Sequence, residues 1–339
     1  MPSFSTGVVT AVLSEREGLQ RVEVDGHPAY VLTDLIGPVA PGDRVVVNTT
    51  AVDLGLGTGG WHVVHWNLAR ESWSRPGPGT VMKLRYTSLQ ADVGATEEAP
   101  GYRPPDDLGG TPVVACALHS QVACVAVVLA DVAPRPRVVY VMTDSAALPL
   151  AFSELVAELR AGGLLAATVT CGQAFGGEYE AVNLASGLEV ARAAGGADVI
   201  VVGPGPGVVG TRSRLGFGGL EVGTVVDSTT RLEGRPVIAV RYSESEVRDR
   251  HRGVSQHTVV ALEGAARPAL VAVPRGERAA ADVLDRRHPV VEVDVPDLAG
   301  LFARRGLDVT TMGRGPADDP AFFRWAGAAA VAAAQLLQP

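Results

Sequence analysis

At 339 residues, the chain has room for two domains and not for a multidomain machine. Hydrophobic residues at 47% against 19% charged can fill a sizeable core, which excludes a mainly disordered protein. A net charge of −8 opposes general binding to nucleic acid or an anionic membrane, because phosphate affinity needs clustered Lys and Arg.

The first residues do not combine basic side chains with an apolar run, so no secretory leader is expected. The longest apolar stretch, near 328–337, is too short to span a bilayer. The cysteines (Cys116, Cys124, Cys171) form no CxxC pair and no disulfide framework, so a reducing cytoplasm is the expected location. Of the 29 basic residues only Lys83 is a lysine. Either chance left it, or a compact titratable amine is needed where a guanidinium will not serve.

In chain order, short β-rich runs at 6–13, 20–24, 29–32, 44–48 and 61–66 alternate with Gly/Pro/Asp turns. They predict a small β-barrel over 1–70. Acidic residues outnumber arginines in this segment, which disfavours an oligonucleotide-binding role and leaves scaffolding or self-association. A Pro/Gly-rich linker follows over 71–112, whose mixed stretch at 80–90 is expected to lend a loop to the site. From 113 the pattern changes to fully apolar strands at 113–117, 138–142, 167–171, 199–202, 237–240, 268–273 and 290–295. Helices near 121–132, 151–161 and 178–194 lie between the early ones, and another closes the chain at 320–337. Repeated βα units of this kind predict a mostly parallel α/β/α sandwich over 113–339. The fold class is therefore α/β, with an N-terminal barrel.

Polar residues follow the strands. His119 and Ser120 come after the first, Thr143, Asp144 and Ser145 after the second, and Gln173, Gly176 and Gly177 after the third. Thr211 lies beyond the fourth, and Arg241 and Ser243 follow the fifth. In an open α/β sheet the carboxyl ends of parallel strands form the ligand crevice, so these residues are expected to share one site. Gly176 and Gly177 would let backbone approach an anion at the start of a helix beginning at Glu178, with Glu180 and Asn183 on one face of it. Ordinary glycine-turn capping is an equal alternative. Ser243 and Glu246 match a capping box. Arg241, Arg248, His251 and His257 fall within 17 residues and could bind a carboxylate or phosphate, or could line a solvated helix.

For catalysis, His119 is the candidate acid/base, Asp144 its orienting carboxylate or second acid/base, and Lys83 the amine reaching in from the linker. Ser120, Ser145 and Cys171 are the other nucleophile candidates. No GxSxG elbow is present. Neither GxGxxG with its acidic partner nor GxxxxGK[ST] is complete, so no cofactor is assigned. No local ligand spacing points to a metal.

The strings GLGTGGWHVVHWNLA, VMKLRYTSLQ, LHSQ, YVMTDSAALPLAFS, GQAFGGEYEAVN, GPGPGVVGT and RHRGVSQHT resemble a bacterial family catalogued only as a domain of unknown function. The resemblance runs nearly the whole chain and implies that barrel and sandwich belong to one architecture. It assigns no catalytic residue.

Two functions are expected to compete. One is a cytoplasmic α/β protein that binds, and in its fuller form chemically alters, a small anionic metabolite, through hydrolysis, group transfer or lyase chemistry. The other is a non-catalytic sensor or assembly component that forms homo-oligomers through the barrel. Neither nucleic acid nor membrane is an expected partner.

Overall fold

The computed structural model describes residues 1–77, 79 and 81–337. The chain divides into two compact units, Met1–Val93 and Gly94–Pro339.

The first unit holds β1 (Phe4–Arg16), β2 (Leu19–Val24), β3 (His27–Leu32), helix α1 (Thr33–Ile36), β4 (Arg44–Asn48), helix α2 (Thr50–Asp53) and β5 (His62–Asn67). The strands close into a barrel in the order β1-β2-β3-β5-β4, with β3 and β5 parallel. Alternate valines, among them Val9, Val22, Val31, Val45 and Val64, point inward and form its core. β-branched side chains at period two suit a pleated surface buried on one face. Two-residue strands β6 (Met82–Lys83) and β7 (Ala91–Asp92) pair antiparallel near the end of this unit.

In the second unit β8 (Pro112–Cys116) leads to α3 (His119–Val132), β9 (Val138–Thr143) to α4 (Glu154–Ala161), and β10 (Ala167–Thr170) to β11 (Tyr179–Glu180) and α5 (Leu184–Ala193). Then come β12 (Val199–Pro204), α6 (Val222–Arg231), β13 (Arg235–Ala239), the short pair β14 (Tyr242–Ser243) and β15 (Gly253–Val254), and α7 (Gln256–Gly264). β16 (Leu270–Pro274), β17 (Val290–Val293), α8 (Leu298–Arg305) and α9 (Pro320–Gln335) complete it. Eight strands form one sheet in the order β11-β10-β9-β12-β8-β13-β16-β17, and every pairing is parallel.

Successive residues of each strand feed opposite cores. Val114, Cys116, Tyr140 and Val201 pack with α3, α4, α8 and α9. Val113, Ala115, Val139 and Val202 pack with α5, α6 and α7. The layering follows from crossover handedness. From β8 to β10 the chain crosses the sheet in one direction. From β11 to β16 it crosses in the other, so its helices lie on the opposite face. The expected α/β/α sandwich and closed barrel are both present.

Two local expectations are corrected. No helix begins at Glu178. Tyr179 and Glu180 instead add a parallel edge strand to Val169 and Thr170, and α5 starts later, capped by Asn183. Ser243 and Glu246 form no capping box, because Ser243 pairs with Gly253 in a strand and the next α-helix begins at Gln256.

Candidate functional site

Because every strand of the sheet runs the same way, the carboxyl ends of β8, β9, β10, β12 and β13 lie along one edge. Gln173, Asp144, His119 and Arg241 follow β10, β9, β8 and β13, so all four sit on that edge. With neighbouring strands ~4.8 Å apart, β10 and β13 stand about 19 Å apart across the edge. The polar tips therefore gather into separate groups.

The first group surrounds His119. Its Nδ1 lies 3.0 Å from the carbonyl of Pro204, at the end of β12. A carbonyl can only accept, so Nδ1 carries the proton. Nε2, 2.6 Å from Ser153 Oγ, then accepts the serine hydroxyl. Tyr140 of β9 donates to the same Pro204 carbonyl at 2.9 Å. Burial pushes the His119 imidazole down to about 4, so it is neutral at physiological pH with both nitrogens occupied. Asp144 is not its partner. Ser120, next in α3, is buried and lines a cavity of about 380 Å³.

The second group ties β9 to β10 and to the 3₁₀ turn at Gly218–Glu221. Thr143 Oγ1 donates to Glu221 Oε1 at 2.7 Å, and Asp144 Oδ2 accepts the backbone N–H of Gln173 at 2.9 Å. Gly172 has φ +65°, and a Cβ there would sit 2.3 Å from Asp144 Oδ2. Only glycine permits the carboxylate this close. Burial raises the Glu221 carboxyl above its ordinary range, and Asp144 adds to the effect.

The third group follows β13. Glu246 is 3% exposed and receives three guanidiniums. Arg248 binds it through Nε at 3.0 Å and Nη2 at 2.8 Å; Arg314 approaches to 3.5 Å and Arg241 to 3.7 Å. The Arg248 hydrogen bonds hold the Glu246 carboxyl down at about 2. Arg314 also reaches Asp319, which accepts Ser243 Oγ at 2.5 Å. His251 donates through one nitrogen to Ser255 Oγ at 2.7 Å and accepts Arg250 Nε at 3.1 Å through the other. His257 stacks on Phe217 with centroids 3.8 Å apart and meets His251 edge-on. Burial first, then the Arg241 charge, push His251 down to about 3 and His257 to about 4.

Arg241 is the exceptional residue of this group. It is 7% exposed, yet among the described residues its guanidinium makes no hydrogen bond and has only the 3.7 Å approach to Glu246. Burial lowers it to about 10. The guanidinium thus keeps donor capacity that no hydrogen bond among the described residues uses.

The remaining nominees lie apart from these three groups in the hydrogen bonds they make. Glu180 accepts Gly176 N at 2.7 Å and Thr170 Oγ1 at 2.6 Å, while Gly177 N donates to Thr170 Oγ1 at 3.1 Å. Asn183 caps α5. Thr211 bonds Ser213 and the Gly216 carbonyl inside its own exposed loop. Lys83 is a buried residue of the first unit. The sequence reading missed Ser153, Tyr140, Arg314 and Asp319. A lone tyrosine inside the apolar strand VVYVMT was the one available signal, since its hydroxyl needs a partner. Among the described residues no group of three or more His, Cys, Asp or Glu is placed to hold a metal.

A family model described as "Protein of unknown function (DUF3866)" matches residues 28–330. No curated protein and no solved structure matches the chain.

Proposed function

The chain belongs to that family of unknown function, and we propose that its α/β unit binds a small anionic metabolite at the carboxyl edge of the sheet. The anion sits on Arg241. The single observation that carries this reading is that the guanidinium of the buried residue Arg241 has no hydrogen-bond acceptor among the described residues. Arg248 and Arg314 share the Glu246 carboxylate with it, which leaves positive charge in excess. Ring nitrogens of His257 have no hydrogen bond among the described residues, and the imidazole is neutral. Burial is the main cause of the His257 depression and the arginine charges are the second; an anion on Arg241 would offset the second part and raise the imidazole value toward the physiological pH range. That is the range a general acid or base requires. A cytoplasmic setting fits three buried cysteines that, among the described residues, form no disulfide, and among the described residues no helix is long and apolar enough to cross a membrane.

Calorimetric titration of the full chain with inorganic phosphate and with citrate tests the reading. Arg241→Gln is expected to weaken the bound anion at least tenfold while the protein remains folded. Equal affinity in parent and variant, or no binding of either probe, would overturn it.

A second reading, a non-catalytic sensor or assembly component that self-associates through the barrel, is favoured by a different observation. Strand β1 exposes the large apolar side chains Phe4, Val8, Val12 and Leu13 at 37–52%, and exposed apolar surface marks interaction sites when it is contiguous.

A further inference from the structure

The cavity beside His119 is chemically unlike the arginine group. Its volume of about 380 Å³ lies at the small end of ligand pockets and suits a molecule of sugar size. Leu118, Leu155, Val309 and Met312 supply apolar wall. Among the described residues no arginine or lysine lines it, and its carboxylates, Glu154, Glu158 and Asp308, are exposed residues. His119 contributes an uncharged ring whose two nitrogens are already bonded to Pro204 and Ser153.

Two hydroxyls decide what the cavity can hold. Ser120 is 8% exposed and Thr311 4% exposed, both line the space, and among the described residues neither side chain makes a hydrogen bond. They come from separate elements, the first turn of α3 and the segment before α9. Each hydroxyl is left to pair with whatever enters the space, and an occupant with matching polar groups can meet both. A purely apolar guest would leave both unsatisfied. An anion would meet carboxylates and no cation.

We infer that this cavity is a second ligand site, which takes a neutral, hydroxyl-bearing small molecule of the polyol or sugar class through the Ser120 and Thr311 hydroxyls. The site shares no side chain with the Arg241 group and stands whether or not that group binds an anion. The hydroxyls both donate and accept, which matches an alcohol's own double role. The apolar wall covers the carbon face of such a ligand.

The test uses the full chain, ligand-observed saturation-transfer NMR and three neutral probes, glycerol, D-ribose and myo-inositol, with spermidine and inorganic phosphate alongside. At least one neutral probe is expected to bind, and the double variant Ser120→Ala/Thr311→Val to weaken it tenfold or more. Because those hydroxyls have no hydrogen-bond partner among the described residues, the ligand-free double variant is expected to keep the parent's Tm. Binding of phosphate to Arg241 should be unchanged in it, which separates this site from the other. Failure of all three neutral probes overturns the inference, as does neutral binding that survives the double variant. A spermidine signal lost in the double variant would make the cavity a cation site and overturn it too. So would a drop of several degrees in Tm, which would make the hydroxyls structural.

Discussion

Three imidazoles of the α/β unit, His119, His251 and His257, are held well below the ordinary histidine value, chiefly by burial. Each has about 6.5 unfolded and about 3 to 4 folded. Between those values the unfolded chain binds protons that the native state refuses. Stability therefore rises with pH across that window and falls as pH drops through it. Glu221, whose carboxyl is raised by burial, works in the opposite direction. Urea unfolding at pH 7, 6 and 5 is expected to show decreasing stability, and His257→Gln a shallower slope. A slope unchanged in that variant would mean that His257 titrates normally. Around this ring stand Arg241, Arg248 and Arg250 as charges, with His251 and Phe217 as contacts. At this scale the arginine–histidine group was legible, because four of its members fall within one short segment. Ser153 was not, since 34 residues separate it from His119, and Asp319 lies 76 residues from Ser243. No local spacing encodes such pairs.

Helix ends decide which polar residues are free for ligands. Asn183 accepts Ser186 N at 3.1 Å and Ser186 Oγ accepts Asn183 N at 3.2 Å, a reciprocal cap on α5. Its side chain is thus committed to the backbone. Asn183→Ala is expected to cost about 1 kcal/mol, read by chemical denaturation, with phosphate affinity left unchanged; a tenfold affinity loss would instead place Asn183 in the anion site. The sequence reading misplaced this helix start by several residues. Two-residue strands such as β11 are shorter than any periodicity can resolve. Glu180 acts there as a clamp on Gly176 and Thr170, a role that depends on tertiary contact.

Each unit carries its own core, valine-lined in the barrel and two-sided around the parallel sheet. The self-association reading rests on the exposed apolar residues of β1. Light scattering at micromolar concentration is expected to show a mass above the monomer, reduced in the double variant Val8→Glu/Leu13→Glu. A monomeric parent protein would remove the self-association reading. Layer architecture, strand positions and the edge that gathers polar residues were determined by the sequence alone, because buried parallel strands must be apolar throughout and their carboxyl ends must be polar to leave the core. Tertiary structure alone decided that this edge splits into distinct groups. Strand order interposes β12 between β8 and β9, which puts the Pro204 carbonyl against His119 and leaves Asp144 to Gln173. Which polar tips meet is a matter of sheet order, and sheet order is set by long-range packing that no local run of residues records.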